Sequence, residues 1–109
     1  MKSNRNIRNK KLLNKLHGLG LYSDKDGYWY LPNCKDQWMM SSYSDNTVKI
    51  CEKIKLDKRS NIIYFSELGK EYDTYKDENH IFNTVKKLVE ESKVLQCKMK
   101  MNNIQEDFE

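Results

Sequence analysis

The sequence predicts an α+β fold: an N-terminal helix, an antiparallel meander of about four or five strands, and a long C-terminal amphipathic helix. Both helices are expected on one face of the sheet. Three observations carry this. Ile81, Val85, Leu88, Ser92, Leu95 and Met99 recur at alternating steps of four and three, which lines them up on one side of a helix. Residues 47–56 alternate, with Val48, Ile50, Ile54 and Leu56 on one side and Thr47, Lys49, Cys51, Lys53 and Lys55 on the other. Asp26-Gly27 stands between Leu21-Tyr22-Ser23 and the aromatic run Tyr28-Trp29-Tyr30-Leu31, the composition of a tight hairpin.

In chain order, Ser3 offers an N-cap hydroxyl for the first helix. Leu12, Leu13, Leu16 and Leu19 give that helix an apolar patch, and Gly18 and Gly20 end it. Pro32 and Asn33 close the strand that follows the Asp-Gly turn, and Trp38 to Tyr43 reads as the next strand. Thr47 to Leu56 reads as one continuous strand, with Glu52 the single acid on its apolar side. A carboxylate there must be paired, hydrogen-bonded or turned outward by a bulge, since an orphan costs several kcal/mol or takes up a proton. The polar turn Asp57-Lys58-Arg59-Ser60 leads to Asn61–Phe65, a strand close enough to pair antiparallel with its predecessor. Ser66 to Asn79 is polar, holds Gly69 and reads as a loop or loose helical turn. The last helix, a rod of roughly 30 Å if about 20 residues long, has Phe82 and Val89 flanking its stripe and carries Lys86, Lys87, Glu90, Glu91 and Lys93 on the opposite side.

A chain of 109 residues is long enough for one core, and no repeat or linker composition divides it. We therefore expect a single domain, 1–109, with residues 1–5 and 103–109 as tails. Charged residues make up 33 % against 38 % hydrophobic, so the core must be compact. Alanine is absent while Lys, Asn, Ile, Asp and Tyr abound, a bias that fits an AT-rich coding sequence of a low-GC bacterium or its mobile elements. The basic start is followed by no apolar stretch of secretory length and no run near membrane-spanning length, so the cytoplasm is expected. Cys34, Cys51 and Cys97 are far apart and unsuited to a disulfide framework. The formal charge of +4 is uneven: Lys2, Arg5, Arg8, Lys10, Lys11 and Lys15 crowd the first helix, while acids gather around Glu67 to Glu78 and at the end.

Catalytic and cofactor chemistry find little support. His17, His80 and the cysteines lack zinc-site spacing, so no metal or other cofactor is expected. The glycines are too scattered for a phosphate loop, and Ser41-Ser42 lacks a nucleophile-elbow context. The expectation is a protein that is not an enzyme.

Leu12 to Tyr22, followed by the Asp26–Leu31 arm, resembles the recognition helix and wing of a winged-helix DNA-binding domain. That family needs two helices before the recognition helix, and too few residues precede it here. The helix–sheet–helix order also resembles the double-stranded-RNA-binding domain, with Lys86-Lys87 where that family carries its lysines, but the alanine-rich pattern expected there is absent.

Two candidate surfaces remain. If Val48, Ile50, Ile54 and Leu56 face inward, Lys49, Lys53 and Lys55 form an outward row. Trp29 and Leu31 are then the inward pair on their strand, with Tyr28 and Tyr30 outside. Tyr64 joins them if Ile63 and Phe65 face in. Such a face suits a partner protein, where tyrosines are enriched at hot spots, or nucleic acid, where bases stack on aromatics and phosphates meet lysines. Lysines that guard an edge strand and tyrosines that shield a sheet would leave the same pattern. Lys10, Lys11 and Lys15 form a second, electrostatic candidate for nucleic acid. The stripe over residues 81–99 packs on the chain's own sheet or, as the alternative, on a second copy in a homodimer. Together these features lead us to expect a small non-catalytic binding protein. It would be a regulator or inhibitor of phage or mobile-element type, docking on a larger host nucleic-acid-handling protein of CRISPR or restriction type. Direct RNA or DNA binding is the alternative. No membrane partner is expected.

Overall fold

The computed structural model describes residues 6–32, 34, 37–57, 59–60, 62–65 and 69–107, with side chains as far as Met101. Helix α1 (Lys10–Gly18) is followed by strands β1 (Tyr22–Ser23), β2 (Tyr28–Tyr30), β3 (Met40–Ser42), β4 (Thr47–Ile50), β5 (Ile54–Asp57), β6 (Ile62–Phe65) and β7 (Lys70–Asp73), and then by helix α2 (Glu78–Asp107). The architecture is the predicted α+β. Five strands form one antiparallel sheet in the order β1-β2-β3-β4-β7, and β5 and β6 pair as a separate two-stranded ribbon.

Helix α1 starts later than a cap at Ser3 would place it. The expected cap, Ser3, lies outside the described residues, and the observed N-cap is Asn9, whose Oδ1 accepts the Leu12 N–H at 3.4 Å. Asn9 is buried and its amide donates to the Thr74 carbonyl at 2.8 Å and to Glu78 at 2.9 Å. The cap therefore ties α1 to the start of α2. Leu12 and Leu16, one turn apart, are fully buried. The helix ends in paired reverse bonds, Gly20 N–H to His17 O and Leu21 N–H to Leu16 O, with Gly20 in the left-handed region at φ 91°.

The expected strand from Thr47 to Leu56 is two strands in two sheets. Val48 and Ile50 are fully buried in the main sheet, whereas Ile54 and Leu56 are half-buried in the ribbon. The break falls at Cys51–Lys53, around the one residue whose continuation would have put a carboxylate on the apolar face. The Cys51 N–H bonds Met39 O at 2.8 Å, and Glu52 accepts the Tyr72 hydroxyl. Glu52 is thus satisfied by a hydrogen bond, at a kink rather than within a strand.

A second departure lies in residues 66–79, expected as loop. Lys70–Asp73 form β7, which pairs with β4 through Thr47↔Asp73, Val48↔Tyr72, Lys49↔Glu71 and Ile50↔Lys70. Tyr72 is the one apolar-bodied residue of β7 and sits on the inner face opposite Val48. Of the expected 66–79 loop, residues 66–68 lie outside the described residues, as do Lys58 of the predicted turn and Asn61 at the predicted strand start.

Gly69, just before β7, fits because it has no side chain. An added Cβ would overlap the Ile50 carbonyl and stand 2.7 Å from the Cys51 nitrogen, all backbone atoms with no room to give. Gly69→Ala should therefore displace β7 and cost about 2–4 kcal/mol, an overpacking loss at the severe end. Denaturant titration of the variant measures it, and a loss below about 1 kcal/mol would show that the β4–β7 junction yields.

One face of the sheet and both helices enclose the core. Trp29, Leu31, Met40, Val48 and Ile50 meet Leu12 and Leu16 of α1 and Ile81, Val85, Leu88 and Val89 of α2, with Ile54, Phe65 and Tyr72 packed at the margin. Both helices therefore share one sheet face. Ser92 is buried within the α2 stripe and gives its hydroxyl proton to Val89 O at 2.7 Å. Beyond it burial fades: Leu95 and Met99 are half-buried and Val94 and Met101 exposed. The backbone helix continues to Asp107, into the stretch 103–109 expected as a tail.

Candidate docking face

The strand register decides which side chains share the outer face. Cross-strand partners project to the same side, so Tyr22↔Tyr30, Tyr28↔Ser41, Ser41↔Lys49 and Lys49↔Glu71 mark one face from edge to edge. Trp29, between Tyr28 and Tyr30, points the other way and is fully buried. Alternation alone thus turns a buried tryptophan into two outward tyrosines.

These side chains form a built surface. The rings of Tyr22 and Tyr30 stack at 5.2 Å with 13° between their planes. Tyr28 lies against Trp38 at 5.0 Å. Ser41 donates its hydroxyl proton to the Tyr43 oxygen at 2.9 Å, and the Tyr30 hydroxyl donates to Asp24 at 3.3 Å. Desolvation, reinforced by the Asp24 carboxylate, raises the Tyr30 pKa above its ordinary value, so its hydroxyl stays a hydrogen-bond donor at neutral pH. Asp24 also accepts the N–H groups of Asp26 and Tyr28 at 2.9 and 3.0 Å, which fixes the turn beside the Tyr22–Tyr30 pair. Tyr22 and Trp38 are each 37 % exposed. Both helices pack on the opposite face, and among the described residues neither helix covers this one, although Ser41 at its middle is buried.

The structure brings together only some of the residues singled out from sequence. Tyr28, Tyr30 and Lys49 share the outer face. Lys55 and Tyr64 face each other across the β5–β6 ribbon, and Lys53 lies in the segment that leads into it. The expected lysine row is therefore divided by the break after Ile50, and Tyr64 belongs to its far part. On α1, Lys10 and Lys11 are exposed, but Lys15 reaches Glu78 at 3.1 Å and lies 5.5 Å from the centre of the Phe82 ring. Lys15 thus helps hold the helices together. The bonds from Asn9 and Lys15 lower the Glu78 pKa below the usual carboxylate value.

Sequence reasoning missed Tyr22, Trp38 and Tyr43 as part of this surface. Tyr22 stands opposite Tyr30 because the hairpin is centred on Asp26, whereas a two-residue Asp26-Gly27 turn would have set it opposite Leu31.

A second concavity, of about 260 Å³, lies beside α2 and is lined by Glu52, His80, Thr84, Lys87, Leu88 and Glu91. The Tyr72 ring packs on His80 at 4.8 Å. Its pKa is pushed up to about 12, chiefly because its hydroxyl donates to Glu52. A phenol held protonated in this way serves as a donor and not as a base at neutral pH. Among the described residues no cluster of His, Cys, Asp and Glu is placed to hold a metal ion, and no helix is long and apolar enough to cross a membrane. Comparison with protein-family models, curated proteins and solved structures finds no match to this chain.

Proposed function

We propose that this chain is a non-catalytic binding protein that docks on a partner protein through the tyrosine face of its five-stranded sheet. The supporting observation is the continuous outer surface of Tyr22, Tyr28, Tyr30 and Trp38, left open while both helices cover the other side. Rigid aromatics with few rotamers lose little entropy on docking and supply large contact area, and they dominate hot spots. The partner is a larger host protein that handles nucleic acid, of CRISPR or restriction type, and the chain acts on it as an inhibitor. The small size and the AT-rich, mobile-element-like composition support this choice. A second reading, direct nucleic-acid binding, draws on exposed Lys10 and Lys11 and on the Lys55–Tyr64 pair of the ribbon.

The test compares affinities for the purified partner, first captured from host extract. Replacing Tyr28 and Tyr30 together with alanine should cost about 2–4 kcal/mol of binding, the range for truncated aromatic anchors. Lys10→Glu with Lys11→Glu should change the rate of association and leave dissociation nearly unchanged, since charges remote from a face act through steering. Lys15 is left alone because its replacement would also break the bond to Glu78. A silent tyrosine pair together with a lysine pair that abolishes activity would favour the nucleic-acid reading and sink the docking one.

A further inference from the structure

We infer that the tyrosine face receives a cationic protein surface, one of arginine and lysine side chains such as binds nucleic acid, so that docking and nucleic-acid binding compete for the partner. This rests on the docking reading above and adds the chemistry of the occupant.

Charge borders the aromatics on both sides. Glu71 and Asp73 lie on the outer face of β7. Asp45 joins them at one end, where it accepts the Thr47 hydroxyl proton at 2.5 Å and Thr47 stands opposite Asp73. Asp24 and Asp26 bound the other end, with Asp24 hydrogen-bonded to Tyr30. Against these five carboxylates stand three cations, Lys25 in the turn, Lys49 at the centre and Lys76 beside Asp73. The backbone N–H groups of Tyr75 and Lys76 bond Asp73 at 2.8 and 3.0 Å, which keeps that carboxylate ionised.

Further basic groups lie away from this face. Arg8, Lys10 and Lys11 are exposed at the first helix, and that helix packs on the other side of the sheet. The molecule is therefore positive in sum, yet its aromatic face has an acidic rim. A phosphate backbone approaching Tyr30 meets the Asp24 carboxylate, which accepts the Tyr30 hydroxyl proton at 3.3 Å, well inside the roughly 8 Å screening length of physiological salt. A guanidinium meets the opposite: it stacks on tyrosine faces and forms paired hydrogen bonds with carboxylates. The face thus offers a protein what nucleic acid would otherwise offer it, negative charge beside flat rings.

The probes are a short arginine–glycine peptide and a single-stranded DNA oligonucleotide, each titrated into the full-length protein and followed by NMR. The peptide should saturably shift Tyr22, Tyr28, Tyr30 and Glu71, and the oligonucleotide should leave them in place. Glu71→Lys with Asp26→Lys, both at exposed positions, should weaken the peptide roughly tenfold, the sum of two exposed charge reversals, with circular dichroism unchanged. If the peptide leaves the face unshifted while the tyrosine pair still costs partner affinity, docking stands and the cationic occupant is wrong. If the oligonucleotide shifts the tyrosines, the face is a nucleic-acid platform and both readings fall.

Discussion

Trp29→Ala should lower the free energy of unfolding by about 3–5 kcal/mol, the usual cost of emptying a large aromatic site. Trp29 is fully buried at the point where β1, β2 and β3 meet the first helix. It lies opposite Ser23 on one side and Met40 on the other, and the His17 ring is 5.4 Å away. Its indole N–H donates to Ser42 Oγ at 3.2 Å, and that hydroxyl in turn donates to Gly27 O at 3.2 Å. The substitution therefore opens a cavity and breaks the chain that links β2, β3 and the hairpin turn. Set against a total stability of about 5–15 kcal/mol, the loss is a large share of the whole. Denaturant titration reads the effect. A loss under about 1.5 kcal/mol, well below the cavity range, would mean that the helices collapse into the space and that the core is less tightly specified than the burial implies.

The second large effect is Leu88→Ala, expected at about 2–5 kcal/mol. Leu88 is 2 % exposed, in the middle of the α2 stripe. From Ile81 to Ser92 that stripe is taken up by the chain's own first helix, β5–β6 ribbon and sheet core, so the loss should not depend on protein concentration. A melting temperature that rises with concentration, in the native chain or the variant, would show instead that a second copy shares the helix.

How far the sequence carried the fold can be argued from individual residues. The stripe of α2 and the pair Tyr28 and Tyr30 were legible because a single period, 3.6 or 2, decides which way those side chains point. Continuity through residues 47–56 was not. Glu52 stood out as a fault in the alternation, but whether the chain absorbs such a fault or breaks there depends on Tyr72, a partner remote in sequence. Strand β7 gave no signal, since Lys70, Glu71 and Asp73 leave Tyr72 alone to mark an inner face. Asn9 displaced the expected cap for a tertiary reason, its bonds to Thr74 and Glu78. The same kind of contact removed Lys15 from the basic surface, because charge counted along a sequence says nothing of pairing across helices. The lysine row failed as a unit for the reason the strand did: Lys49 stays on the main sheet, whereas Lys53 and Lys55 follow the chain into the ribbon.

The placement of β5 and β6 between two strands that pair with each other also bears on how the chain reaches its fold. Joining β4 to β7 closes the loop between Ile50 and Lys70, an entropic cost that grows with the logarithm of the open length. The two-stranded ribbon inside that loop is a local hairpin, of the kind that forms in about 1–10 μs. Once Ile54 and Phe65 are paired, only the short segments flanking them remain to be ordered. The effective loop shrinks and the two sheet strands are drawn towards register. The ribbon thus acts as a splint, lowering the entropy cost of closing β7, an edge strand with little apolar drive of its own, onto β4.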